Sequence, residues 1–156
     1  MANNRISAAM KDNIKKVYGK RIGEINDEIE ERGKELAQAR IKALEEEPKY
    51  KLFRLSIIEF CDWVKEADPD GEFSDSYNLT RAKDYLQDNT FFKTPYRGSL
   101  EKIFSNDFKI EKLTEEKERI NKECSKLLWN LEMAPKSSEE YKEAYKKAEE
   151  LLFGDK

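Results

Sequence analysis

The sequence predicts an all-α fold, a helical bundle with long amphipathic helices at its N- and C-terminal ends. Three observations predict it. Apolar residues recur at three-four spacing through Tyr18, Ile22, Ile25, Ile29, Leu36 and Ala43, and again through Leu113, Ile120, Cys124, Leu127 and Leu131, which lines each set along one stripe of a helix. Charged residues make up 40% of the 156 and hydrophobic ones 38%, the Lys-, Glu-, Leu- and Ala-rich mixture of bundles and coiled coils. Eight Phe, seven Tyr and two Trp at a net charge of only −3 supply core material that disordered chains lack.

The first element is expected over residues 6–47. Ile6, Met10, Ile14 and Val17 open its stripe, which continues through Ile22, Ile25 and Ile29. Gly19, Gly23 and Gly33 lie inside it, and each costs a helix about 1 kcal/mol relative to alanine. A kink or a close helix approach is therefore expected near Gly19 and Gly23. Pro48 ends the element, because proline disfavours helical geometry at the residue before it. Roughly 40 residues at 1.5 Å each would span about 60 Å. A compact domain of this size needs less, so the helix is expected to project as an arm, bend back on the bundle or be covered by a partner.

Residues 50–67 form the most hydrophobic stretch. Leu52, Phe53, Leu55, Ile57, Ile58, Phe60, Cys61, Trp63 and Val64 spread around the helical wheel, which predicts a central, buried helix. Asp68-Pro69-Asp70-Gly71 is a strong turn signal after it. Residues 72–109 read as short helices and loops. One helix is expected from Thr80 to Asp88, with Leu79, Ala82, Tyr85 and Leu86 facing inward. An aromatic loop follows from Phe91 to Gly98, and Ser99 is placed to cap a further short helix through Phe104.

Residues 114–133 predict a helix capped by Thr114, with Glu115 and Glu116 at the positive end of its dipole. Ala134-Pro135 closes it. Residues 139–153 predict the last helix, opened by a capping box of Ser137 and Glu140. Its inner face is Tyr141, Ala144, Tyr145, Ala148 and Leu152, and Gly154 is a natural stop. No linker is long enough to separate two domains, so 1–156 reads as a single helical domain.

The residue types exclude several kinds of chemistry. With no histidine in the chain, the commonest general base and the usual nucleophilic triads are missing. The six glycines are scattered and none precedes Lys-Ser or Lys-Thr, so no phosphate-cradling loop is present. Cys61 and Cys124 sit among apolar residues of helices and read as reduced, buried thiols rather than a disulfide framework or zinc site. No apolar run reaches the roughly 20 residues that span a bilayer, and the N-terminus lacks the apolar stretch of a secretory signal. The expectation is a cytoplasmic protein with no cofactor, no metal and no membrane partner.

Four surfaces remain as candidates. The turn from Glu66 to Asn78 carries Glu66, Asp68, Asp70, Glu72 and Asp75 without a lysine or arginine. Aligning Gly71 with the glycine of an EF-hand loop puts Glu66, Asp68, Asp70, Glu72 and Ser74 at ligand positions. Tyr77 then occupies the twelfth position, where calcium needs a bidentate glutamate. The loop is incomplete, and an acidic contact for a basic partner is the expected role. Phe91, Phe92, Tyr96 and Arg97 have the composition of an interface hot spot, or alternatively of a cap on the bundle core. The stripe Tyr18, Ile22, Ile25, Ile29 and Leu36 is the candidate self-association surface. The first helix is basic early and acidic later, which would align opposite charges in an antiparallel homo-oligomer. The basic set Arg5, Lys11, Lys15, Lys16, Lys20 and Arg21 is the candidate for phosphate contacts.

The stretch from Arg5-Ile6-Ser7 through Val17-Tyr18-Gly19-Lys20-Arg21 to Ala39-Arg40 resembles the opening of small phage-encoded early proteins. In these, a short amphipathic helix leads through a Gly-Lys-Arg-like step into a longer charged one. The resemblance covers about a quarter of the chain and has no diagnostic motif. It implies a stoichiometric binder that blocks a host factor, and it assigns no residue a role. The function expected from the whole sequence is a non-catalytic protein–protein interaction module, of the kind that inhibits or modulates a host protein. Nucleic-acid binding through the basic first helix is the alternative.

Overall fold

A computed structural model describes residues 6–88 and 91–154. Six α-helices and no strand occur among them, as the all-α expectation requires. They are α1 (Ala8–Glu46), α2 (Pro48–Ala67), α3 (Ser76–Gln87), α4 (Arg97–Ile103), α5 (Phe108–Met133) and α6 (Glu139–Phe153). The chain divides into two compact units, residues 1–32 with 101–156 and residues 33–100. The division falls inside α1 and α4. A search for linkers in the sequence has nothing to find there.

The first unit is built on α1, α5 and α6. As numbering rises along α1 it falls along α5, so the two helices run antiparallel. Lys11 meets Glu132 at 2.6 Å, Arg21 meets Glu116 at 2.9 Å and Arg32 meets Asp107 at 3.0 Å. Ile14, Tyr18, Ile25 and Ile29 from α1 are buried, as are Ile110, Leu113, Ile120, Leu127 and Leu131 from α5. α6 packs along α5 and contributes Ala144 and Ala148, small side chains that let the helices approach closely. Lys147 of α6 pairs with Glu123 of α5. That contact holds the Glu123 carboxyl below its ordinary range.

Two helix starts differ from the sequence reading. α5 begins six residues before Thr114, because Asp107 accepts a hydrogen bond from the Ile110 N–H at 3.3 Å and caps the helix there. Thr114 lies inside the helix, its hydroxyl near Glu101 at 3.5 Å. At α6 the cap is Ser138, which accepts from the Tyr141 N–H at 3.3 Å, and not Ser137.

The second unit holds the end of α1, then α2, α3 and the start of α4. α2 and α3 form an antiparallel hairpin. Arg54 donates to the carbonyls of Leu86 and, at 2.9 Å, Gln87, while Cys61 Sγ donates to the Leu79 carbonyl at 3.4 Å and Lys83 pairs with Asp62. α3 starts at Ser76, earlier than Thr80, because Asp75 caps it by accepting from the Asn78 N–H at 3.1 Å. Close approach of helices was expected at Gly19 and Gly23, but both face open space within 4 Å. It occurs at Gly33, where a Cβ would stand 2.7 Å from Leu100 Cβ.

The largest departure from the sequence reading concerns α2. It occupies its expected span but is not a central buried helix. Of its twenty residues only Cys61 and Val64 are buried.

Candidate interaction surface

The exposed side of α2 follows from its helical arithmetic. At 3.6 residues per turn, Leu52, Ser56 and Trp63 line one side, with Leu55 on one flank and Phe60 and Phe53 on the other flank, next to Val64. Tyr50, Ile57, Cys61 and Val64 fall on the opposite side. The second side packs in the hairpin. The first meets solvent: Leu52 is 68% exposed, Leu55 59% and Trp63 62%, with Phe53 and Phe60 about half exposed. Phe60 and Trp63 stack with ring centroids 6.1 Å apart, which leaves a flat aromatic plate on the surface. Phe73, 91% exposed in the turn after α2, and Tyr77 at the start of α3 add further aromatic surface in the same unit. These five α2 side chains leave on the order of 600 Å² accessible, at the upper end of the largest apolar patch on a typical monomer. Isolated exposed apolar residues are ordinary; a contiguous helix face of this size is what interaction sites present.

The sequence carried a signal for this face. Glu59 and Glu66 share the helical side of Leu52 and Trp63, and a centrally buried helix would have to desolvate both carboxylates.

The acidic turn is held together by its own residues. The Asp68 carboxylate accepts from the N–H groups of Glu72, Phe73 and Ser74 at 3.2, 3.0 and 2.9 Å, and from the Ser74 hydroxyl at 2.8 Å. These bonds, the Ser74 hydroxyl first, hold its carboxyl below the ordinary range. Gly71 sits at φ +66°, the left-handed conformation that closes the turn. Asp75 is occupied as the α3 cap. Glu66, Asp70 and Glu72 remain on the exposed surface. Among the described residues no group of three acidic or cysteine side chains is placed to hold a metal ion. Beside the turn, a groove of about 320 Å³ between α2 and α3 is lined by Cys61, Val64, Leu79, Thr80 and Lys83.

The aromatic loop does two things. Phe91 and Phe92 pack with Tyr50, Phe92 edge-on at 4.8 Å between centroids and Phe91 at 6.1 Å, and so fasten the loop to the start of α2. Tyr96, 86% exposed, and Arg97, also exposed, face solvent. Two of the four are thus tied to α2, and the other two lie at the surface.

The proposed self-association stripe is largely inside the chain. Tyr18, Ile25 and Ile29 are buried, and Ile22 and Leu36 are half-buried. Its apolar surface is used by the folded chain itself and does not present the open seam that an antiparallel α1 pairing needs. Tyr18 shows the same burial in its phenol, which is pushed up to about 12 by desolvation and then by nearby Glu123 and Cys124.

The basic set is reduced in the same way. Arg5 lies outside the described residues. Lys11 pairs with Glu132, and Arg21 with Glu116, Glu24 and Glu28. Lys15, Lys16 and Lys20 are exposed, too few for the phosphate-tracking strip that a basic helix would need. No helix among the described residues is long and apolar enough to cross a membrane.

No protein-family model matches the chain, and neither a curated protein nor a solved structure matches it.

Proposed function

We propose that this chain is a non-catalytic protein-binding module whose contact surface is the exposed apolar face of α2: Leu52, Phe53, Leu55, Phe60 and Trp63. The observation that carries this reading is the exposure of the most hydrophobic helix, in a chain whose α1, α5 and α6 bury their apolar stripes. Binding energy at interfaces concentrates in a few aromatic anchors ringed by polar residues. The Phe60–Trp63 stack, with Glu59 and Glu66 beside it on the same helix, has that layout. Exposed Phe73 and Tyr96 extend the aromatic surface available in this unit. The hairpin bonds from Arg54 and Cys61 fix the buried side of α2, so the exposed side is presented on a rigid element. Occupying a partner's surface in this way is how a small modulator of another protein acts without chemistry of its own.

The test replaces Phe60 with a photoreactive benzoyl-phenylalanine in the full chain and illuminates the cells that produce it. The expected result is a discrete covalent adduct with a polypeptide, lost when Trp63→Glu is added. The reading is refuted if position 60 yields no more polypeptide adduct than the same probe at exposed Lys126 on α5.

A further inference from the structure

We infer that the occupant of the α2 face is an amphipathic helix of a partner protein that sets a basic side chain over Trp63, between Glu59 and Glu66. The inference rests on the reading of that face as a protein-binding surface and names the chemistry of its partner.

The seam along α2 decides that chemistry. A helix laid on another meets it at alternating steps of three and four residues. The run that follows the exposed side of α2 is Lys49, Leu52, Ser56, Glu59, Trp63 and Glu66. Leu52 and Trp63 are its apolar anchors, and Ser56 between them has the least bulk, which suits an aliphatic side chain from the partner. Glu59 stands one helical turn before Trp63 and Glu66 one turn after it, on the same side. Both are exposed and neither has an ion-pair partner among the described residues, whereas Asp62 is already paired with Lys83. Covering the seam takes both carboxylates out of water, which is costly unless the occupant brings positive charge.

That condition selects among occupants. An acyl chain or a wholly apolar helix leaves both carboxylates unpaired. An anionic lipid surface or a nucleic acid is repelled by them, and by Asp70 and Glu72 exposed in the turn just beyond. A basic side chain gains two opposite charges and the indole of Trp63, which Phe60 stacks beside and which is 62% exposed. Arginine suits the place best, because its planar guanidinium lies on a ring while its edge donates to carboxylates. Lys49 carries the opposite charge at the other end of the seam, about 20 Å from Trp63 along the helix. The partner's basic residue therefore belongs at the Trp63 end.

The experiment maps the adduct formed by benzoyl-phenylalanine at position 60 of the full chain, by sequencing the crosslinked peptide with mass spectrometry. The expected segment has apolar residues at three-four spacing and an arginine or lysine within about two helical turns of the crosslink. Glu59→Gln with Glu66→Gln keeps the apolar face and should lower the adduct yield at least about tenfold. Because both positions are exposed, the double variant should melt within about 2 °C of the parent. A polypeptide segment without a basic residue, an adduct with α2 of a second copy, or a yield unchanged by the double variant overturns this inference. Each of these leaves the protein-binding surface standing. A lipid adduct alone, or no more polypeptide adduct than from the probe at Lys126, removes both.

Discussion

Asp107 joins two helices with one carboxylate. Arg32 of α1 donates to it through Nε at 3.1 Å and Nη2 at 3.0 Å, and the same group accepts the Ile110 N–H that begins α5. The planar guanidinium matches the carboxylate in a two-bond fork, the strongest geometry open to an ion pair. The Asp107 side chain is only 15% exposed. The contact fixes where α5 starts and orients it against α1 within one unit.

A pH dependence follows. The Arg32 hydrogen bonds, foremost, hold the Asp107 carboxyl below its ordinary value. A lowered folded-state pKa contributes stability that is complete above the unfolded value, about 3.9, and is lost as pH falls through the folded value. Asp107→Asn removes the ion pair and is expected to melt at lower temperature than the parent at neutral pH. The gap between them should hold down to about pH 5 and close as pH falls below about 4. Asp68 and Glu123 are shifted in the same direction, so the difference between parent and variant is the diagnostic quantity. A gap that persists undiminished at low pH would show that the ionised Arg32–Asp107 pair is not its source.

How far this contact could be read in advance shows what the sequence encodes. Helix periodicity marked α1, α2 and α6 to within two residues, because each carries its stripe or its stop signals locally. The start of α5 was misplaced because Thr114 with two glutamates behind it is a better local cap pattern than Asp107 before Phe108. Only the tertiary contact with Arg32 decides for Asp107. The burial of α2 was misjudged for a related reason. Apolar residues on every side predict a centre, but which helices exist to cover them is a property of the whole chain. The acidic turn was visible as a cluster. Its internal bonding to Asp68 depends on backbone geometry that composition does not carry.

The glycines of α1 separate helix propensity from packing. Gly19 and Gly23 face open space, so Gly19→Ala and Gly23→Ala should each stabilise by up to about 1 kcal/mol through helix propensity. Gly33→Ala makes the same gain but brings its Cβ to 2.7 Å from Leu100 Cβ. That atom is rooted in the α4 backbone and cannot rotate away, so helices must shift and the variant should be less stable. Thermal melts of the three variants decide the matter. A stabilised Gly33→Ala would show that this contact is looser than described.

Core and surface apolar residues should respond unequally to truncation. Ile25 is fully buried, and Ile25→Ala should cost about 3 kcal/mol, from lost transfer energy and the cavity left behind. In a chain of this size that corresponds to a fall of roughly 10 °C in melting temperature. Trp63→Ser removes a larger side chain from the exposed face of α2 and should leave the melting temperature of the dilute chain within about 2 °C of the parent. Measured at dilution, the pair tests whether α2 lies at the surface. A loss for Trp63→Ser comparable to that for Ile25→Ala would return α2 to the interior.

Tyr18 offers the last test, because its hydroxyl is buried and has no hydrogen-bond partner among the described residues. Removing an unsatisfied buried hydroxyl while keeping the ring relieves a desolvation cost. Tyr18→Phe should therefore be at least as stable as the parent at neutral pH. The sign at high pH follows from the folded-state pKa, raised from 10.0 to about 12. A raised value contributes stability that is complete below the unfolded pKa and is lost as pH rises through the folded one. Relative to Tyr18→Phe, which has nothing to ionise, the parent should retain its standing to about pH 10 when referred to the neutral phenol. In the unfolded parent, ionisation then favours unfolding between about pH 10 and pH 12, a pull the phenylalanine variant does not feel. The near-ultraviolet absorbance of phenolate reads the same residue directly. One tyrosine of the native chain should ionise late, and that late component should be missing from Tyr18→Phe. If all seven tyrosines titrate together near their ordinary value, the Tyr18 hydroxyl is hydrated and the packing of α1 at that level is looser than its burial implies.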